Sequence, residues 1–140
     1  MWLKEKDEGV VFAGIGEPCL RLEEVLRASK LIKEKRHGVP LRLNTTSLGL
    51  SDPESAVSQM VEAGIDNVSV FIPSANPNQY KLFMNAPLSA PCTFLGLCLD
   101  KDLKTRVVTV ARSDIDPLEV RKLGEALGAV EFEAKKFIPN

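Results

Sequence analysis

Apolar and polar positions along this chain repeat with two alternating periods, one suited to strands and one to helices. Val10 to Ala13 is a short apolar run closed by Gly14-Ile15-Gly16, which predicts a buried strand entering a tight loop. Leu20, Leu22, Val25, Leu26, Ala28, Ser29 and Ile32 then recur at helical spacing, with Glu23 and Glu24 early and Lys30, Lys33 and Lys35 late. That charge order opposes the helix macrodipole at both ends and so stabilises the helix. Gly38 and Pro40 mark its end, and Leu41 to Thr45 reads as a second strand.

Ser51-Asp52-Pro53-Glu54 predicts a helix start, because a capping side chain precedes a proline whose missing N–H costs nothing in the first turn. Ala56, Val57, Met60 and Val61 form its apolar stripe and Gly64 stops it. Asn67 to Ile72 alternates as a third strand, followed by a loop from Pro73 to Asn78. Tyr80 to Met84 reads as one helical turn or two. Pro91 to Lys104 reads as a helix, since Phe94, Leu95, Cys98, Leu99 and Leu103 share a face, although Thr93 to Leu99 also fits an apolar strand. Arg106 to Ala111 is rich in β-branched residues and predicts a fourth strand. Asp116-Pro117 caps a helix ended by Gly128, and Val130 to Ile138 is the last strand.

Alternation of this kind predicts an α/β fold: a mostly parallel sheet with right-handed helical crossovers, about five strands and four helices, arranged as part of a (β/α) barrel. No repeat or linker divides the chain, so residues 1–140 are expected to form a single domain.

Composition narrows the classes of function. The chain is 44% hydrophobic and 26% charged, a globular profile, with a formal net charge of −1. Such a balance supplies no field to draw the chain to nucleic acid or to an anionic membrane. Lys33, Lys35 and Arg36 cluster, but Glu34 interrupts them and a solvated helix end accounts for the group. No apolar run approaches the ~20 residues that span a bilayer, and Met1 to Gly9 is too charged for a signal peptide. Cys19, Cys92 and Cys98 are odd in number and irregular in spacing, which predicts free thiols in a reducing compartment such as the cytoplasm.

In parallel sheets, ligands gather at the carboxyl ends of the strands. The loops there read Gly14-Ile15-Gly16-Glu17-Pro18, Asn44-Thr45-Thr46-Ser47, Pro73-Ser74-Ala75-Asn76 and Arg112-Ser113-Asp114, a polar wall for a small ligand. Gly14 and Gly16 allow close backbone approach, but a structural strand-to-helix turn explains them as well, and Cys19 stands where a dinucleotide fingerprint needs glycine. His37 is the one histidine and sits beside a helix-ending glycine, so a Ser–His–acid or Cys–His centre would have to be built on it. Cys19, near a helix start, is a candidate reactive thiol, with an incidental thiol as the plainer account. Cys92 and Cys98 have neither zinc nor redox spacing and suit core packing. Asp114 and Asp116 are a conceivable cation pair, although Asp116 is explained as a helix cap.

The run Val10 to Pro18, with Leu20-Arg21-Leu22 after it, resembles a segment of radical S-adenosylmethionine (radical SAM) proteins, nearest to the TatD-associated branch with activating-enzyme-like members behind it. In that family a Gly-Gly-Glu-Pro-type motif contacts the amino group of S-adenosylmethionine, and the resemblance puts Gly14, Gly16, Glu17 and Pro18 in that place. Leu41 to Thr45 is similar to the family's third strand, Glu62 to Val70 to its fourth, and Val107 to Val110 with Leu127-Gly128-Ala129 to its tail. By this alignment Asn44, Thr45 and Ser69 face the S-adenosylmethionine site.

The departures bear on chemistry. The family holds a [4Fe–4S] cluster with a Cys-x3-Cys-x2-Cys run after its first strand. No such run occurs here, and the eight residues before Gly9 are too few for that strand and loop. The usual Asn-Thr-Asn-Gly reads Asn44-Thr45-Thr46-Ser47, and Phe71 is bulky for a ligand-facing position. The expectation is a radical-SAM-like domain without a [4Fe–4S] cluster and without radical catalysis of its own. Two alternatives stay open: a small module binding S-adenosylmethionine or a nucleotide, and one part of a split enzyme whose partner supplies the missing segment. A sheet lacking its first strand exposes the edge at Val10 to Ala13, which favours a homodimer through that edge or such a partner.

Overall fold

The computed structural model describes residues 9–13 and 21–136. Its elements are β1 (Val10–Phe12), α1 (Leu22–Lys35), β2 (Leu41–Thr45), α2 (Pro53–Glu62), β3 (Asn67–Phe71), α3 (Pro77–Met84), α4 (Ser89–Asp100), β4 (Lys104–Ala111), α5 (Pro117–Ala126) and β5 (Glu131–Lys136). The sheet order is β1-β2-β3-β4-β5, with every neighbouring pair parallel. Right-handed crossovers between adjacent parallel strands all fall on one side of a sheet. The helices therefore cover a single face, as in a segment of a (β/α) barrel.

Three helices start in the same way. Asp52 Oδ1 accepts from the Ser55 amide at 3.1 Å, Asn76 Oδ1 from the Asn78 and Gln79 amides at 2.9 and 3.1 Å, and Asp116 Oδ1 from the Leu118 amide at 3.1 Å. In each, proline follows the cap and its fixed φ suits the first turn. The second of these, Asn76-Pro77, starts an eight-residue helix where the sequence predicts loop and one turn or two, so the described residues form five helices rather than four. The apolar run after it is helix α4, which begins at Ser89 and keeps Pro91 in its first turn.

The helix ends are equally regular. Gly64 donates to the Val61 carbonyl and Ile65 to that of Met60, both at 3.1 Å, and the Gly128 and Ala129 amides repeat the pattern after α5. This C-cap needs a left-handed residue, and Gly64 (φ +94°) and Gly128 (φ +87°) provide it without a Cβ penalty. After α4 the same turn is made by Asp102 at φ +57°.

The core lies between the sheet and its helices. Leu41, Leu43, Val68, Val70 and Val107 point from the sheet into it and meet Val57 and Met60 of α2, Leu95 of α4 and Val120 of α5, all fully buried. Asp66 ties the entry of the sheet together, its Oδ2 accepting from the Leu41 amide at 2.8 Å and from Lys33 Nζ at 3.0 Å. At the two edges the sheet differs. β5 carries Glu131, Glu133, Lys135 and Lys136, a charged edge that discourages strand addition, whereas β1 is short and its Val11 is 49% exposed.

Candidate functional site

Strand alternation sends every second side chain to the face that no helix of the described chain covers. The register then aligns those residues in rows. Arg42 pairs with Asn67 and Asn67 with Lys104; one step toward the carboxyl ends, Asn44 pairs with Ser69 and Ser69 with Arg106; above these, Phe71 pairs with Val108. The inward face of a closed (β/α) barrel is packed with branched apolar side chains. Across β2, β3 and β4 two rows of it are polar here, and the apolar surface begins at Phe71, Val108 and Val110, with Val11 of β1 at the edge of the first row. Polar residues at half-buried sheet positions need partners, and their absence marks a place where something else supplies them.

Ser69 and Arg106 are partnered. The Arg106 Nε–H donates to Ser69 Oγ at 3.0 Å, and its guanidinium pairs with Glu133 Oε2 at 3.0 Å across β4 and β5. Ser69 is 3% exposed beneath that arginine. One atom each of Asn44 and Arg42 differs: Asn44 Oδ1 and Arg42 Nε are both shut off from solvent with no hydrogen-bond partner among the described residues. Each such orphan costs about 1–3 kcal/mol, so two within one strand are an expensive arrangement unless a ligand completes them.

Thr45 points the other way, toward the helices, and is buried. Its Oγ1 accepts the Ser47 amide at 2.8 Å, shaping the turn that leaves β2. Ser47 occupies the left-handed region at φ +68°, is buried, and leaves its Oγ without a partner. The backbone here keeps a conformation that glycine suits. Replacing Ser47 by glycine is expected to raise stability by about 1 kcal/mol, by removing both the left-handed penalty and the orphan hydroxyl. Chemical denaturation at constant m-value measures it; a destabilised variant would mean that the hydroxyl is satisfied in solution.

Gly14, Gly16, Glu17, Pro18 and Cys19 lie outside the described residues. Of the sequence-predicted site residues within them, the fold brings Asn44 and Ser69 side by side on the open face and sets Thr45 behind them. Sequence reasoning passed over Arg42, Arg106 and Glu133. The alternation Leu41-Arg42-Leu43-Asn44 could have found Arg42, because it shares a face with Asn44 wherever that strand lies.

The other candidates have structural roles. Asp114 pairs with Arg112 at 2.9 Å and Asp116 caps α5. Cys98 is fully buried in the core, and burial pushes the half-buried Cys92 thiol above its ordinary pKa, away from thiolate chemistry. His37 is exposed after α1, at the rim of a groove of about 850 Å³. That groove lies between the amino ends of β3 and β4, opposite to where ligands sit in such sheets, and its Lys33 and Asp66 are committed to each other. Among the described residues no group of three or more His, Cys, Asp or Glu side chains is arranged to hold a metal. Among the described residues the two cysteines, Cys92 and Cys98, lie on one helix with Cys98 fully buried and do not by themselves fit an iron–sulfur cluster, which takes three or four ligands. No described helix is long and apolar enough to cross a membrane by itself.

Comparison of folds finds solved structures similar to this one at low sequence identity. Over 89% of its length the chain matches SuiB of Streptococcus suis, with a TM-score of 0.73 at 12% identity. It also matches a domain of a pyruvate-formate lyase-activating enzyme from Bacteroides vulgatus (TM-score 0.62, 15% identity, 93% of this chain and 99% of that one). The radical S-adenosylmethionine methyltransferase TsrM from Kitasatospora setae, solved with cobalamin and a [4Fe–4S] cluster, matches over 81% of this chain (TM-score 0.58, 15% identity). The chain spans only 28% of SuiB and 24% of TsrM. No protein-family model and no curated protein matches the sequence. The chain has a radical-SAM-like fold, a parallel sheet with its helices on one face.

Proposed function

We propose that this half-barrel binds S-adenosylmethionine, or a related nucleotide-bearing ligand, on its open face and performs no radical chemistry by itself. The observation that carries the proposal is the pair of orphan acceptors, Asn44 Oδ1 and Ser47 Oγ, at the carboxyl end of β2. An amide oxygen and a hydroxyl accept or share protons with the amino and hydroxyl groups that an S-adenosyl ligand presents. Phe71, Val108 and Val110 lie on the same face nearer the strand ends, and an apolar floor beside a polar row suits a nucleobase. The resemblance at Gly14, Gly16, Glu17 and Pro18 supports the same ligand, and the radical-SAM-like fold gives it a precedent in TsrM, whose structure has been solved with a SAM analogue.

The proposal assigns no radical cleavage to these residues, because Cys19, Cys92 and Cys98 do not form the Cys-x3-Cys-x2-Cys run that holds the family's cluster. Bound ligand would therefore stay intact, which suits sensing or positioning rather than turnover.

Calorimetric titration with S-adenosylmethionine and S-adenosylhomocysteine tests this. Saturable heat is expected for at least one of them, with Glu17→Ala and Asn44→Ala each weakening binding about tenfold, a loss of about 1.4 kcal/mol. No heat at about 1 mM ligand would overturn the proposal and leave a radical-SAM-like scaffold that acts through a protein partner, for which the edge of β1, unpaired among the described residues, is the place to look.

A further inference from the structure

Arg42 stands on the open face, one row nearer the amino ends than Asn44, at about 6.6 Å along the strand. Its side chain is half-buried, its Nε is shut off from solvent, and among the described residues no hydrogen-bond acceptor reaches that Nε and no carboxylate pairs with the guanidinium. Arg106 on the same face shows the alternative: there the fold supplies both a hydroxyl, Ser69, and a carboxylate, Glu133. A guanidinium never sheds its proton at working pH, so Arg42 cannot escape the cost of burial by neutralising. Its register neighbours Val11 and Asn67 carry no charge, and the next residue of the row, Lys104 two strands away, is another cation.

We propose that Arg42 and Asn44 form a subsite for an oxyanion, the carboxylate or phosphate group of a small ligand lying on the open face. The guanidinium fork matches either group and donates two parallel N–H bonds, while the Asn44 side chain adds a further donor through its amide nitrogen. The proposal deepens the function given above and rests on it only for the choice of face. It asks nothing of an S-adenosyl group, because Arg42 lies a row below the strand-end residues.

The test is an NMR titration of the full 15N-labelled chain with sodium phosphate and, separately, sodium acetate, at constant ionic strength with sodium chloride as the control. Saturable shifts are expected at the Arg42 Nε–H and the Asn44 side-chain amide, with a Kd of about 1–10 mM for so small an ion, and none with chloride. Phosphate in preference to acetate would assign a phosphoryl ligand, and the reverse order a carboxylic acid. Arg42→Met keeps the apolar stem and is expected to weaken binding at least about tenfold; Arg42→Lys keeps the charge without the fork and should lie between; Lys104→Ala should match the wild type. The proposal is overturned by linear, non-saturating shifts, or by equal affinity in the wild type and Arg42→Met. Anion binding without any response to S-adenosylmethionine would uphold the subsite and sink the S-adenosyl assignment, and the opposite pattern would do the reverse.

Discussion

Replacing Phe94 by alanine is expected to lower the free energy of unfolding by about 3–5 kcal/mol. The side chain is 1% exposed and faces inward from α4 with Pro91, Leu95 and Cys98. That one face holds the helix against α2 on one side and β4 on the other. Interiors are packed at crystal-like density, so truncation leaves a cavity that the neighbouring helix cannot collapse to fill. The loss is a large fraction of the 5–15 kcal/mol typical of a domain. Urea denaturation with an unchanged m-value measures it. A loss below about 1 kcal/mol would show that α4 is anchored elsewhere and that its apolar face is incidental to the fold.

The second large effect is one of pH. Tyr80 is fully buried on α3, and its hydroxyl has no hydrogen-bond partner. Burial first, and the nearby Cys92 second, push its pKa from 10.0 up to about 12. The folded state thus holds the phenolic proton more tightly than the unfolded chain does. Stability from this residue is fully present below pH 10 and is lost as pH rises through about 12, by about 2–3 kcal/mol in all. The chain has a single tyrosine, so tyrosinate absorbance reads this group alone. A midpoint near 10 in the folded protein would refute the burial of Tyr80. Tyr80→Phe removes the orphan hydroxyl and is expected to be more stable by about 1 kcal/mol at pH 7, with the alkaline drop correspondingly smaller.

Much of this architecture is legible in the order of the amino acids alone. The strands β2, β3 and β4 show as alternating or β-branched runs, and Asp52-Pro53 and Asp116-Pro117 announce their helices because cap and proline act within four residues. Asn76-Pro77 carries the same signal, yet it sits in a stretch rich in Pro, Asn and Ser that reads as loop. The helix forms because Tyr80 finds a buried place, which is a tertiary fact. Segment 91–104 is ambiguous for a related reason: a short apolar run carries no period, and only packing against α2 and β4 decides for a helix.

For the site, the sequence by itself determined which residues share a strand face: Arg42 with Asn44, and Ser69 with Phe71, by alternation alone. It also carried, through the run from Gly14 to Pro18, the resemblance to radical SAM proteins. The tertiary structure alone decided which face stays uncovered, because that follows from the hand of the crossovers. It alone decided the register that sets Arg106 against Ser69, 37 residues away in sequence, and Glu133 against Arg106. And it alone separated the satisfied arginine from the unsatisfied one, since charge in a sequence says nothing about whether folding brings a partner within reach.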